Sequence, residues 1–164
     1  MSHRATRPRR AWTTRRLDAA EAGAALPALV ALAVRSKAAW GYDGAFMARF
    51  EALMARTSVE VPGRVVIVVE DAGSILGFAI VDDVGDRAWL EDLWVEPARF
   101  GAGIGRALWS AAVEAARGMG QPSLDFEADP NAEPFYRRMG ARTVGSRSST
   151  IDGGRVLPIM RRAV

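Results

Sequence analysis

The stretch LEDLWVEPARFGAGIGRA, residues 90–107, decides the fold of this 164-residue chain. Residues 90–95 are mostly bulky and apolar, which is typical of a buried strand, and Pro97 cannot donate a hydrogen bond to a sheet. Three alternating glycines follow: Gly101, Gly103 and Gly105. From residue 104 onward, apolar side chains recur with helical spacing. The stretch therefore predicts a strand, a glycine-rich loop and an amphipathic helix in direct succession.

The junction between this loop and the helix is a candidate site for an anion. The first turn of a helix has backbone N–H groups without intrahelical partners, and the helix dipole adds partial positive charge at the same end. Glycines allow a phosphate to approach the backbone, and Arg99 and Arg106 flank the loop. A Rossmann fingerprint would need glycine in place of Arg106, and a P-loop would need a Gly-Lys-Ser/Thr triplet that the sequence lacks. From the loop alone, phosphate binding and a plain turn remain equal alternatives.

The composition indicates one folded domain and excludes several kinds of catalytic site. A chain of this length with 49% hydrophobic residues can form a single core. The absence of cysteine excludes disulfides, thiolate zinc sites and cysteine nucleophiles, and the only histidine, His3, stands near the N-terminus. We therefore expect no metal and no histidine-based triad. Any chemistry must use carboxylates, tyrosine, serine, the backbone or water.

The positive charge of the chain is concentrated at its N-terminus. Residues 1–16 contain six arginines and no acid, which leaves 16 basic and 19 acidic side chains elsewhere. We predict a flexible Arg-rich tail over residues 1–11 and a single domain over residues 12–164. The tail can be interpreted as an arm that recruits RNA, but a solvated tail is preferred, because no basic face with interleaved aromatic residues follows it. No nucleic-acid partner is therefore expected.

The sequence contains no evident export signal or membrane segment. Residues 1–16 lack the apolar core of a signal peptide, and no run of about 18 apolar residues is present. The apolar stretch 24–34 is short and is interrupted by Pro27. We therefore expect a cytoplasmic protein that does not enter a membrane.

The remaining patterns predict secondary structure in the order β-α-α-β-β-β-α-β-α-β-β. The first helix is predicted to run from a cap at Asp18 to about Arg35, with Pro27 tightening or restarting its first turn. The strands predicted at 87–95 and 123–127 are joined by a long helix, and a helical crossover makes its two strands parallel. The sequence thus predicts a mixed α/β (α+β) fold whose central sheet is flanked by helices.

Two stretches, WVEPARFGAGIGRAL (94–108) and DPNAEPFYRRMGA (129–141), resemble the GNAT acyltransferases in residue type, spacing and element. Members of this family transfer an acyl group from acyl-coenzyme A to an amine. The resemblance extends from about Trp12 to Val164. It implies a mixed, mostly antiparallel sheet with one splayed parallel pair of strands.

The glycine loop is similar to the pyrophosphate loop of that family, commonly Gln/Arg-x-x-Gly-x-Gly/Ala. Gly103 and Gly105 occupy the two small positions, whereas Phe100 stands where the family has Gln or Arg. The resemblance implies acetyl-CoA as co-substrate, with the backbone amides of residues 101–106 carrying the phosphate contact. The cofactor-binding residues that it implies are Leu93, Trp94, Val95, Arg99, Phe100, Gly101, Ala102, Gly103, Ile104, Gly105, Arg106, Asn131 and Tyr136.

The same resemblance implies roles for three of these residues. The Val95 amide would polarise the thioester carbonyl, Asn131 would hydrogen-bond the pantetheine arm, and Tyr136 would protonate the departing thiolate. Alternatives remain from the residues themselves. Tyr136 is also placed to be a core tyrosine, and Asn131 is also placed to cap its helix.

The general base and the acceptor site are less clearly indicated. Glu91, Asp92 and an ordered water are the candidates for the base, with Glu91 preferred, and both acids can also be simple strand-edge charges. Adjacent strand residues point to opposite faces, so at most one of them faces the pocket unless a bulge intervenes. Trp40 and Tyr42 stand in an inter-helix loop, where binding residues are common. They are the candidates for acceptor binding.

The resemblance implies an N-acetyltransferase that acts by direct attack on a primary amine, of a small molecule or a peptide N-terminus. The alternative is a non-catalytic module that binds or senses acyl-CoA. The sequence does not name the acceptor amine. A homodimer through the terminal strands is one arrangement of the chain that these patterns allow.

Overall fold

The computed structural model describes residues 11–164, so the predicted tail lies outside the described residues apart from Ala11. The predicted order of strands and helices is confirmed in this part of the chain. The elements are β1 (Thr13–Leu17), α1 (Ala19–Ala38), α2 (Gly44–Met54), β2 (Val65–Asp71), β3 (Ser74–Asp83), β4 (Ala88–Val95), α3 (Ile104–Gly118), β5 (Ser123–Glu127), α4 (Glu133–Arg138), β6 (Arg142–Ser148) and β7 (Val156–Ala163).

The described strands form one sheet in the order β1-β2-β3-β4-β5-β7-β6. All neighbouring strands are antiparallel except β4 and β5, which confirms the predicted mixed sheet. The parallel pair is short, because only Ala88 and Trp89 of β4 pair with Leu124 and Asp125 of β5. Beyond Trp89 the two strands diverge and leave a gap, as the predicted splay requires.

The two faces of the sheet carry separate apolar clusters. Helix α3 buries Leu108 and Ala112 in the cluster on one face. Helices α1 and α2 bury Leu32 and Phe50 in the cluster on the other face, against Phe78 of β3. We call these the α3 face and the α1–α2 face. The gap between β4 and β5 opens between them.

Helix α1 is longer than predicted, and Pro27 lies in its interior rather than at its first turn. The predicted capping box is present, because Asp18 accepts from the Glu21 amide and Glu21 accepts from the Asp18 amide. Proline removes one backbone hydrogen bond from a helix interior. Burial of Leu29, Leu32 and Ala33 against the sheet stabilises the helix beyond that point.

By length and hydropathy alone, α1 would qualify as a helix that crosses a membrane, which the sequence expectation did not foresee. In the structure Leu29, Leu32 and Ala33 pack into the cluster on the α1–α2 face and are at most 1% exposed. A core helix of this length and composition meets the same criteria.

A bulge in β4 changes which of its side chains point to the α3 face and which point to the α1–α2 face. Asp92 pairs with Ile80 of β3 and Leu90 pairs with Val81, so Glu91 is an extra residue without a partner. Leu90 and Leu93 both pack on the α3 face, although an unbroken strand would place them on opposite faces. As a result, the side chains of residues 92 and 94 are directed to the α1–α2 face.

Candidate active site

The loop between β4 and α3 concentrates free backbone N–H groups at one end of a 15-residue helix. Gly101 and Gly103 have φ values of 80° and 85°, a conformation that glycine adopts without strain. Within residues 11–164, the amides of Gly101, Gly103 and residues 104–106 have no hydrogen-bond acceptor. Such a group of amides at a helix N-terminus is suited to a phosphate.

Ala102 departs from the predicted amide site. Its N–H donates to the Arg99 carbonyl at 3.2 Å, because a short 3-10 turn at Pro97–Arg99 leads into the loop. Ala102 also does not line the adjacent cavity. The amides that remain for an anion are therefore those on either side of it.

A cavity of about 560 Å³ extends from the glycine loop to the gap between β4 and β5. We call it the cofactor cavity. It brings together the predicted cofactor residues other than Ala102, and it also includes Trp40, which was predicted to bind the acceptor. Arg138 lines it as well, as do Arg99 and Arg106. For the guanidinium groups of these three arginines, the described part of the chain offers no ion-pair partner.

The open edge of β4 presents backbone groups to this cavity. The amide of Glu96, just after β4, donates to Leu76 O of β3 at 2.8 Å. Successive N–H groups of a strand point to opposite edges. The Val95 N–H therefore points away from β3, into the gap that β5 leaves open, where it can stabilise negative charge on an oxygen.

Tyr136 lies at the closed side of the cofactor cavity, in a cluster of aromatic rings. Its ring centroid is 4.4 Å from that of Phe126 and 5.3 Å from that of Trp109. The side chain is 7% exposed, and its hydroxyl has no hydrogen-bond partner among residues 11–164. Burial, with the nearby carboxylates of Asp92 and Asp129, raises the pKa of the Tyr136 phenol. The hydroxyl is therefore protonated at neutral pH and able to donate.

The bulge separates the two candidate bases. Asp92 is 8% exposed and accepts a hydrogen bond from Trp94 Nε1 at 2.6 Å, whereas Glu91 is exposed. Burial raises the pKa of Asp92 to about 6, and the bond from Trp94 opposes that shift only in part. A carboxylate with a pKa near 6 is ionised at neutral pH and can accept a proton.

A second cavity, of about 420 Å³, lies on the α1–α2 face. We call it the acceptor cavity. Its walls come from the end of α2, from β4, from the end of β5 and from the hairpin between β6 and β7. The two cavities share residues 90–92, Trp94 and residues 127–129, so they meet at the gap. A molecule in one cavity can therefore reach a molecule in the other through this gap.

A cluster of polar side chains, centred on the buried Lys37, borders the acceptor cavity, and the sequence patterns did not indicate it. Lys37 Nζ donates to Asp129 Oδ2 at 2.5 Å, and the Tyr42 hydroxyl donates to the same oxygen at 2.7 Å. Arg155 donates to the Tyr42 hydroxyl and lies 3.3 Å from Asp129 Oδ2. Asn131 Nδ2 also donates to Tyr42, at 3.2 Å. Tyr42 itself lines neither cavity, and it contacts the site only through these neighbours.

One signal in the sequence could have identified this cluster. Lys37 is the only lysine among 22 basic residues, and it stands in an apolar helix. The rings of Tyr42, Phe46 and Phe50 surround its ammonium group at 4.8 to 5.5 Å. Although burial raises the pKa of Asp129, the hydrogen bonds from Lys37 and Tyr42 lower it to about 2 overall. Asp129 is therefore ionised.

Comparisons with known proteins agree with this geometry. The sequence model of the acetyltransferase (GNAT) family matches residues 29–141. The crystal structure of nourseothricin acetyltransferase is 32% identical, with a TM-score of 0.58, over 62% of this chain and 66% of that enzyme. The chain thus spans just under two thirds of that relative. No curated protein matches the sequence significantly.

Two further solved structures share the fold over nearly the whole chain. The ribosomal-protein-S18-alanine N-acetyltransferase from Escherichia coli is 22% identical, with a TM-score of 0.70, over 93% of this chain and 94% of that one. An aminoglycoside 6′-N-acetyltransferase complexed with coenzyme A is 15% identical, with a TM-score of 0.70, over 92% and 96% of the two chains. At these identities the likeness concerns the fold alone.

Proposed function

The chain belongs to the acetyltransferase (GNAT) family, and on that premise we propose that it transfers an acetyl group from acetyl-CoA to a primary amine. The acceptor in this proposal is a small molecule or a peptide N-terminus, and a cytoplasmic location is part of it. The observation that carries the proposal is the meeting of two cavities at the gap between β4 and β5. Transfer between two bound molecules requires such a junction.

The cofactor cavity fits the parts of acetyl-CoA. The free amides of the glycine loop, with Arg99 and Arg106 beside them, suit the pyrophosphate. The unpaired edge of β4 suits the pantetheine arm, which has amide groups of its own. The side chain of Asn131 lines the same cavity and can donate or accept along that arm. The cavity thus offers anion-binding groups at one end and strand-like hydrogen bonding at the other.

The groups around the gap supply the proton transfers that acetyl transfer needs. Asp92, directly or through one water, accepts a proton from the ammonium form of the acceptor. The amine nitrogen then forms a bond to the carbonyl carbon while the carbon–sulfur bond breaks, and the nitrogen releases its second proton to water, which restores the proton that Tyr136 gives to the sulfur. The Val95 amide stabilises negative charge on the carbonyl oxygen, and Tyr136 donates its proton to the departing sulfur. Because this route forms no covalent enzyme intermediate, it agrees with the absence of cysteine.

The burial of Asp92 supports this residue as the base in preference to Glu91, the candidate favoured from the sequence. A buried carboxylate loses less of its interaction with an ammonium group to solvent than an exposed one does. The position of Trp40 in the cofactor cavity supports contact with acetyl-CoA rather than with the acceptor alone.

A homodimer through the terminal strands remains part of the proposal. Strand β6 forms an edge of the sheet, and all of its side chains are exposed. An exposed edge strand can pair with a second copy of itself. Sedimentation at micromolar concentration is expected to give a dimer, and a monomeric mass would contradict this assembly.

The experiment that tests the function measures free thiol release from acetyl-CoA in the presence of a panel of primary amines. Calorimetric titration with coenzyme A is run on the same preparation. Thiol release that depends on an amine supports the transferase. Coenzyme A binding without thiol release from any amine would instead support the alternative, a non-catalytic acyl-CoA-binding module.

Replacing Arg138 by glutamine is expected to raise the Kd for coenzyme A by about three- to ten-fold, because a guanidinium near a phosphate is lost. Arg138 lines the cofactor cavity. Arg137 is the matched control, since it pairs with Glu133 and lies outside the cavity. Calorimetry checks both variants. Equal Kd values for the two variants would contradict the placement of the cofactor phosphates near Arg138.

A further inference from the structure

Resting on the proposed function, we infer that the acceptor is an amine that also carries an anionic group, which binds in the acceptor cavity beside Lys37, Arg155 and Arg56. The amine end lies at the gap near Glu91 and Asp92. The anionic end lies next to it, because the Lys37 ammonium is 5.9 Å from the centroid of the Trp94 ring, whose Nε1 donates to Asp92. A free amino acid, with its carboxylate, is the smallest molecule of this class.

The first observation is an excess of positive charge at one wall of the cavity, on a buried lysine and a half-buried arginine. Lys37 and Arg155 both contact the same oxygen of Asp129, at 2.5 and 3.3 Å, and their side chains are 7% and 20% exposed. Within the described chain, no other carboxylate lies within 4.0 Å of either cation. Two cations therefore share one negative charge. Burial of an uncompensated charge is costly, and an anionic group of a ligand would remove that cost.

The lowered pKa of Lys37 agrees with this excess of positive charge. Burial lowers the pKa of Lys37 even though Asp129 opposes the shift, and the nearby charge of Arg155 lowers it further. An anion bound at this wall would stabilise the ammonium form. The geometry of the shared carboxylate, rather than this shift, is what indicates the site.

A second cation of the cavity wall has no partner in the protein. Arg56 follows α2 and lines the acceptor cavity, and its guanidinium has no hydrogen-bond or ion-pair partner among residues 11–164. Arg147 also lines the cavity, but it forms an ion pair with Glu127 and adds no free charge. Arginine side chains bind carboxylates and phosphates through paired N–H groups. Arg56 and Arg155, which both line this cavity, can therefore donate to an anionic group in it.

The part of the wall next to these cations has the complementary charge. Glu91 and Asp92 line the acceptor cavity where it meets the cofactor cavity, and no ion pair within 4.0 Å neutralises either of them in the described residues. An ammonium group is favoured beside these two acids. In the proposed function, the thioester lies at the same gap. A molecule with an amine at one end and an anion at the other is thus oriented by the cavity for attack.

The same charge arrangement disfavours acceptors with several amines. A second ammonium group beside Arg56, Arg155 and Lys37 would be repelled. Apolar side chains form much of the remaining wall, and they leave room for an uncharged substituent on the acceptor. They are Phe50, Leu53, Met54, Trp89 and Leu157.

The test compares matched amines that differ in the anionic group alone. L-Phenylalanine is compared with 2-phenylethylamine, and O-phosphoethanolamine with ethanolamine, so the two pairs distinguish a carboxylate from a phosphate. Each is titrated calorimetrically into the full chain saturated with coenzyme A, which holds no acetyl group to transfer. In at least one pair, the anionic amine is expected to bind about ten-fold or more tightly than its partner. Equal binding within both pairs, or no binding by any of the four, would overturn the inference.

Variants then locate the anionic group. Arg155→Gln and Arg56→Gln are each expected to reduce the preference for the anionic amine by about three-fold or more. Because Arg155 also bonds within the buried cluster, its loss can affect folding; Arg56 is exposed and unpaired, so its variant tests the site independently. Arg117→Gln, which removes an exposed ion pair on α3, is the control and should keep the preference. A preference unchanged in R56Q and in a folded R155Q would overturn the site.

Thiol release separates this inference from the proposed function. If the anionic amines bind preferentially but no amine causes thiol release, transfer is contradicted and the binding site stands. If thiol release occurs but the uncharged partners react as well as the anionic amines, the transferase stands and the inference is overturned.

Discussion

Replacing Tyr136 by phenylalanine is expected to lower kcat by about 10²- to 10⁴-fold, the usual contribution of a positioned general acid. The ring contacts with Phe126, Phe135 and Trp109 are preserved in the variant, and the lost hydroxyl has no hydrogen-bond partner in the described chain. Stability and coenzyme A affinity should therefore change little. Single-turnover thiol release, with calorimetry for coenzyme A, measures the two effects separately.

The matched control for this prediction is Trp109→Phe, which reduces a ring in the same aromatic cluster and leaves the hydroxyl in place. We expect it to cost stability, since Trp109 is 4% exposed, and to retain most of kcat. Wild-type turnover in a folded Tyr136→Phe variant would show that another group protonates the sulfur.

Replacing Asp92 by asparagine is the second change with a large expected effect, a loss of about 10²- to 10⁴-fold in kcat/KM. Because burial raises the pKa of Asp92 to about 6, the wild-type rate should rise with pH and level off above that value. Asparagine cannot accept the proton, so the variant should lose this dependence. The amide oxygen can still accept from Trp94 Nε1, so the local structure should persist. A pH profile of kcat/KM on both proteins makes the comparison.

Although Asp92→Asn should lower activity, it should raise the stability of the fold at neutral pH. A carboxylate whose folded pKa is raised stabilises the fold fully below its unfolded value near 4, and that stability is lost as pH rises through about 6. Removing the charge should therefore raise Tm at neutral pH and change it less in acid. Thermal unfolding at two pH values measures this difference.

Glu91→Gln is the control for Asp92→Asn. Glu91 is exposed on the bulge, so its replacement should lower kcat/KM far less than Asp92→Asn does and should keep the rise of the rate near pH 6. If Glu91→Gln removed activity and Asp92→Asn did not, the base would be Glu91, as the sequence first suggested.

The sequence predicted those parts of the fold that depend on local patterns. Runs of bulky apolar and β-branched residues located the strands, and the glycines after Pro97 located the turn into α3. The parallel pair followed from the length of the connection, a general property of helical crossovers. Each of these features depends on a continuous run of residues or on the length of a single connection.

The parts of the site that escaped sequence analysis depend on contacts between distant residues. The bulge at Glu91 arises from the pairing of β4 with β3, and no residue near position 91 signals it. Lys37 and Asp129 are separated by 92 positions, and Tyr42 and Arg155 by 113. Only the folded chain brings these four side chains together. For the same reason, the preference for Glu91 over Asp92 had no firm basis before the register of β4 was known.

The extra residue in β4 also affects how this chain should be aligned with its relatives. A relative whose fourth strand has no insertion would carry the carboxylate corresponding to Asp92 one position nearer to the start of that strand. An alignment anchored on the first residue of β4 would then match Asp92 to the wrong residue of the relative. An alignment anchored on the glycine loop would match Asp92 to the correct residue of the relative. Residues 92–95 follow the bulge and alternate regularly up to that loop.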